Sequence, residues 1–183
     1  MQTALKVIAT GLGTAALSLG MLSSAGAEVQ RINDGADVTA TLNDILTVRL
    51  AHTKTTVRVR TTYQDLRKAV DDGGASTSIY LDTRPKRPGP EFALVAGLQL
   101  GTDYQLVRVK NWKLVGEPLS CQHDFDVVWP KETTRLVVKR SCLGNPAKVR
   151  VSQRVTDMAD ASHPVRDWAP DRRQFSAWAK SGR

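Results

Sequence analysis

From position 44 to position 155 the hydrophobic and polar residues alternate with a period of two. Leu46, Val48 and Leu50 alternate with Thr47, Arg49 and Ala51. After the polar turn His52-Thr53-Lys54-Thr55, Val57 and Val59 alternate with Arg58 and Arg60, and Thr61 and Tyr63 continue the inner set. Successive side chains of a strand point to opposite faces, so this pattern predicts strands with one apolar and one wet face. Gln64 to Val70 predicts a single helical turn, with Leu66 and Val70 on one side, ended by Asp71-Asp72-Gly73-Gly74. A third strand is expected over Ser76 to Asp82, with Ile79 and Leu81 inward and Ser78, Tyr80 and Asp82 outward.

Arg84-Pro85-Lys86-Arg87-Pro88-Gly89-Pro90 cannot pair in a sheet, because its three prolines lack donors. It reads as a loop carrying three positive charges. Strand signals resume over Glu91 to Leu98, turn at Gly101-Thr102 and return through Asp103 to Lys110. A last strand, Lys148 to Val155, turns Val149, Val151 and Val155 inward and Lys148, Arg150, Ser152 and Arg154 outward. Seven or eight short antiparallel strands predict an all-β fold, an antiparallel β-sandwich of jelly-roll or immunoglobulin-like type, with a barrel as the alternative. The stretch from Thr156 onward has no period. Its Trp168, Phe175 and Trp178 are too apolar to leave in water, which predicts that it packs back on the sandwich. The polar piece from Glu28 to Asn43 is expected to be loosely attached.

The only two cysteines, Cys121 and Cys142, lie equidistant from Lys131-Glu132. A chain folded back there would oppose the two thiols across a hairpin, at a separation a disulfide accepts. That register places Phe125 opposite Val138, Val127 opposite Leu136 and Trp129 opposite Thr134, all on the core face. Asp124 then faces Lys139 on the wet side. A slip of one residue would bury charges, so the apolar pattern and the cysteines select the same parity.

Lys6 is the sole charge before the apolar run Val7 to Leu22, and Ala25-Gly26-Ala27 carries small residues at the spacing signal peptidase requires. The expectation is a cleaved signal peptide over residues 1–27, a secreted product and no membrane span after cleavage. An oxidising compartment outside the cell also suits a disulfide. Cleavage would leave 156 of the 183 residues, ample for one domain. It would remove one lysine and no acid, taking the net charge from +8 to +7. Such a charge favours anionic surroundings.

Catalytic signals are missing. No Gly-x-Ser-x-Gly elbow is present, paired cysteines offer no nucleophile, and His52, His123 and His163 lack partners at metal-site spacing. His52 is placed in a turn and His123 near the disulfide. Asp82, Glu91 and Asp103 flank loops and are the weak candidates for calcium, which takes six to eight oxygens; no cofactor is implied. Tyr80, on the outer parity of its strand, and Trp112, in the turn Lys110-Asn111-Trp112-Lys113, are candidate ligand platforms. Arg84, Lys86 and Arg87 could meet an anionic ligand, as could the outward stripes of Arg58, Arg60, Lys148, Arg150 and Arg154. Trp129 is assigned to packing.

Ala51-His52-Thr53 before a Val-Arg-Val-Arg strand, Ser78-Ile79-Tyr80-Leu81-Asp82-Thr83, Gly89-Pro90-Glu91-Phe92 and Ser141-Cys142-Leu143-Gly144, with the later Asp167-Trp168, resemble a group of small secreted bacterial β-sandwich proteins. The likeness covers most of the chain after residue 27; it implies export and the sandwich and brings no activity. More distantly, Ile45 to Trp112 is similar to carbohydrate-binding and DOMON-like sandwich modules, which leaves sugar binding, haem binding and neither role open. The resulting expectation is a secreted, non-catalytic protein that binds a cell-envelope polymer or carbohydrate, an anionic or carbohydrate polymer of the cell exterior being its partner. The alternative is a protease inhibitor or other protein-binding module working through the loop Arg84 to Pro90, with a hydrolase of unrecognised type third. Nucleic acid is disfavoured by sparse aromatics and the lack of a recognised module.

Overall fold

Two antiparallel sheets face each other across the apolar sets that the alternation marks out. The structure is a computed structural model that describes residues 26–38, 41, 43–67 and 74–182. The apolar run Val7 to Leu22 therefore lies outside the described residues, as do residues 68–70 of the expected helical turn. Its described part, residues 64–67, is not helical. The first sheet has the order β1-β2-β3-β9-β8, built from Glu28–Asn33, Ile45–His52, Thr56–Tyr63, Thr133–Lys139 and His123–Val128. The second has the order β11-β10-β4-β5-β6-β7: Val165–Ala169, Lys148–Asp157, Ala75–Asp82, Phe92–Gly97, Tyr104–Lys110 and Lys113–Val115. Short β12, Ala179–Lys180, also pairs with β10. No helix among the described residues is long and apolar enough to cross a membrane.

The core between the sheets contains Val48, Leu50, Val57, Val59, Leu136 and Val138 on one side, and Ile79, Leu81, Leu94, Leu106, Val149 and Val151 on the other. β2 keeps this parity through a bulge between Ile45 and Thr47, where the extra residue re-aims the strand. Ile45 is fully buried as a result, while Leu46 is only half-buried. Gln153 shares the inward parity of β10 and is buried among these apolar groups. Its amide accepts from Thr61 Oγ1 at 2.6 Å and donates to Tyr63 Oη at 2.8 Å and Thr77 Oγ1 at 2.9 Å. Tyr63 Oη lies 3.2 Å from Thr134 Oγ1. One amide thus joins β10 and β4 to β3 across the interface.

The hairpin forms with the expected parity and a different register. Phe125 pairs with Leu136, Asp124 with Val137 and Val127 with Thr134, two residues away from the pairing expected from the cysteines. The cause is the turn. Trp129-Pro130-Lys131 forms a 3-10 turn, closed by Glu132 N–H donating to Trp129 O at 3.0 Å, with Glu132 in the left-handed region at φ 50°. Trp129 is therefore not opposite Thr134; it packs half-buried against the core from the turn. Cys142 also leaves its strand: Arg140–Leu143 is a second 3-10 turn, ended by Gly144 at φ 76°, and it carries Cys142 back to Cys121. The disulfide forms with a Cα–Cα distance of 5.6 Å. A shift of two residues preserves the faces, so Phe125, Leu136 and Val138 still lie in the core. Closing this loop contributes about 3 kcal/mol in the chain-entropy model. The double substitution Cys121→Ser/Cys142→Ser should lower the free energy of unfolding in urea by that order; an unchanged urea midpoint would contradict it.

Glu28–Asn33 is not loose. It pairs with β2 along its whole length, from Glu28 opposite His52 to Asn33 opposite Thr47. The irregular C-terminal stretch ties the sheets together. Glu28 Oε2 accepts from Lys180 N–H at 2.7 Å, Trp178 O accepts from Gln30 Nε2 at 3.2 Å, and Gly182 N–H donates to His52 O at 3.1 Å. His52 lies at the end of β2, fully buried, not in the turn. Its Nδ1 is 3.0 Å from Ala179 O, and burial holds its pKa below the usual histidine value.

Candidate functional site

The outer face of the second sheet is where polar, apolar and charged residues mix. Across it, Ser152, Tyr80, Ala93 and Val107 form one transverse row of paired residues on β10, β4, β5 and β6. The C-terminal stretch folds over this row, so Tyr80 is buried at 3 % exposure despite its outward parity. Trp168 comes from β11, beside Arg154 of β10. It stacks on Tyr80 with ring centres 5.9 Å apart and planes 10° apart.

Trp112 reaches the same place from a strained turn. β6 and β7 are joined by two residues, Asn111 and Trp112, at φ 52° and 62°. Positive φ at both positions matches the twist of a tight hairpin, and Asn suits the first of them. Tryptophan at the second is unusual, and such strain costs on the order of 1–3 kcal/mol. What offsets it is the ring's environment: Trp112 meets Tyr80 and Trp168 edge-on at 5.0 and 5.8 Å and stacks on Phe175 at 5.1 Å. The two aromatic candidates named from sequence thus converge, joined by two aromatics of the C-terminal stretch.

Tyr80, Trp112 and Trp168 floor a cleft of about 460 Å³ whose other lining residues are Arg154, Arg166, Arg172 and Arg173. No carboxylate lines it, and none of these arginines forms an ion pair among the described residues. Arg154 is positioned by its neighbours. Its Cζ lies 5.6 Å from the Trp168 ring centre and Nη2 donates to Ser78 Oγ at 3.3 Å, while Nε is buried without a partner. Arg173 Cζ stands 6.0 Å from the Trp112 ring centre. Arg166, Arg172 and Arg173 are exposed at the rim of the cleft. Chemically, this is an aromatic floor with a fourfold cationic wall. Guanidinium groups give paired, planar hydrogen bonds to carboxylate or phosphate, and rings offer flat apolar faces.

A second cleft, about 290 Å³, begins on the other side of the β6–β7 turn. Arg84, Arg87, Arg108, Lys110 and Asn111 line it, with Glu91 as its one acid. The proline-rich loop leans on the first cleft: a methyl group at Gly89 would lie 3.5 Å from Trp112 Nε1. Lys86 is exposed and lines neither cleft. Arg58 and Arg60 are on the first sheet, away from this face. Arg150 is on the right face but engaged, paired with Asp82 at 2.7 Å and held 4.5 Å from the ring centres of both Phe175 and Trp178.

Among the described residues, Asp82, Glu91 and Asp103 are not brought together at the spacing of metal ligands. Asp82 is fully buried and bound by Arg150, with burial raising its pKa and the guanidinium opposing that rise. Glu91 Oε2 accepts from Thr83 N–H and Oγ1–H, at 2.8 and 3.0 Å. Asp103 is exposed in the turn before β6. His123 Nδ1 lies 2.6 Å from Cys121 O, and His163 Nδ1 lies 3.0 Å from Asp160 Oδ2, so both are engaged locally.

Sequence reasoning missed Arg166, Arg172 and Arg173. The missing signal was strand β11, which a stretch without period does not announce. No protein-family model matches the chain, and a comparison with curated proteins finds no match.

Proposed function

We propose that this chain is an exported, non-catalytic binding protein that takes an acidic polysaccharide of the cell exterior along the outer face of its second sheet. The observation that carries this reading is the wall of four arginines, without a carboxylate among its lining residues, around the floor of Tyr80, Trp112 and Trp168. Uronate or phosphate groups would satisfy the exposed guanidiniums of Arg166, Arg172 and Arg173, while sugar rings lie on the aromatic faces. The neighbouring cleft with Arg84, Arg87, Arg108 and Lys110 extends the positive surface beyond Trp112, which suits a polymer better than a single sugar.

Affinity electrophoresis tests it. The chain should be retarded in gels containing polygalacturonate at low salt, less so at high salt where exposed charges are screened. It should migrate freely through neutral glucan. Free migration through the acidic gel, or stronger retention by a single-stranded oligonucleotide than by any acidic glycan, would sink the proposal.

A further inference from the structure

At the opposite side of β11 from Trp168, Asp34, Asp37 and Asp167 meet, with Asp44 as a neighbouring carboxylate. β1 ends at Asn33, and the chain turns through Gly35 at φ 84°, with Asp34 N–H and Gly35 N–H both donating to Leu46 O at 3.1 and 3.3 Å. The turn returns over Asp44, whose Oδ1 accepts from Val38 N–H at 3.1 Å. Asp167 arrives from the second sheet, with Oδ2 accepting from Ile45 N–H at 2.6 Å. Asp34, Asp37 and Asp167 each bring a carboxylate oxygen within 4.8 Å of the others.

Two observations beyond the clustering point to a ligand. Asp44 is fully buried, and its Oδ2 has no hydrogen-bond partner among the described residues. Asp34 Oδ2 is likewise buried and partnerless. None of these four carboxylates is paired with a lysine or arginine among the described residues. A buried carboxylate oxygen without a donor, in a group with no counter-charge, is strongly unfavourable.

We infer that Asp34, Asp37 and Asp167, backed by Asp44, form a calcium site that fastens the β1–β2 edge of the first sheet to β11 of the second. Two oxygens on opposite sides of a calcium ion stand up to roughly 4.8 Å apart, given bonds of about 2.4 Å, so the spacing fits. The ligands are carboxylates with neither histidine nor thiolate, which selects a hard cation over zinc or copper. Calcium tolerates irregular geometry, and loop carbonyls and water complete its shell. Sequence spacing does not announce the site, because Asp167 lies far along the chain from Asp34. It is independent of the cleft: Asp167 and Trp168 are neighbours on β11 and serve different faces.

The test is calorimetry on the chain stripped with chelator and then supplied with calcium alone. Millimolar calcium should raise Tm by about 5 °C or more, with saturable binding heat. Asp37 is exposed, so Asp37→Asn should fold with a calcium-free Tm within about 2 °C of the parent and bind calcium at least about tenfold more weakly. Asp103→Asn, remote from the cluster, should respond as the parent does. Equal Tm values in chelator and in calcium, without binding heat, would overturn the inference. So would a calcium response that Asp37→Asn leaves unchanged, since the ion would then sit elsewhere.

Discussion

Gln153→Ala is expected to destabilise the chain by roughly 3–6 kcal/mol, a large share of the about 5–15 kcal/mol that holds a domain together. Gln153 is fully buried and serves Thr61, Tyr63 and Thr77 at once. Alanine removes three hydrogen bonds, leaves Thr61 Oγ1 without its partner and opens a cavity between the sheets. Leucine fills most of that volume, so Gln153→Leu should cost less, on the order of 2–4 kcal/mol. Replacing both partners by apolar groups removes the orphan too, so Gln153→Leu/Thr61→Val should recover part of the loss. Urea unfolding of the three variants reads this directly. A cost below about 1 kcal/mol for Gln153→Ala would mean that the network does not join the sheets.

The second large effect falls on binding. Reversing two cleft charges in Arg166→Glu/Arg172→Glu should weaken affinity for an acidic oligosaccharide by about 100-fold or more. Each charge-assisted contact is worth roughly 1.5–3 kcal/mol, and every ~1.4 kcal/mol is tenfold. Both side chains are exposed, so the melting temperature should hardly move. An affinity within about threefold of the parent, measured by titration calorimetry at low ionic strength, would remove the cleft from the account.

These expectations differ in how far the residues announce them. Strands β2, β3, β4 and β10 are legible because β-branched residues alternate with polar ones, and a half-buried sheet demands that alternation. Tyr80 and Trp112 could be picked out from strand parity and turn position alone. The hairpin register could not. Parity is blind to a shift of two residues, and the symmetric cysteines assumed that both lie on strands, whereas Cys142 sits in a 3-10 turn beyond β9. The polar network was hidden because Gln153 occupies an inward position of a strand read for its valines. The arginine wall and the aspartate cluster share one deeper cause. Both depend on β11, which brings Arg166, Asp167 and Trp168 into place from a stretch with no periodic pattern.

The chain has four tryptophans, and only Trp112 and Trp168 belong to the cleft floor. Trp129 packs against the core from the hairpin turn, and Trp178 holds Lys148 and Arg150. Indole N–H resonances in a nitrogen-15 correlation spectrum, followed while an acidic oligosaccharide is added, therefore report on binding in the cleft at single residues. Saturable shifts of the Trp112 and Trp168 indoles are expected with Trp129 unmoved, and no shifts with a neutral oligosaccharide of the same length. An unresponsive spectrum, or shifts confined to Trp129, would contradict binding in the cleft.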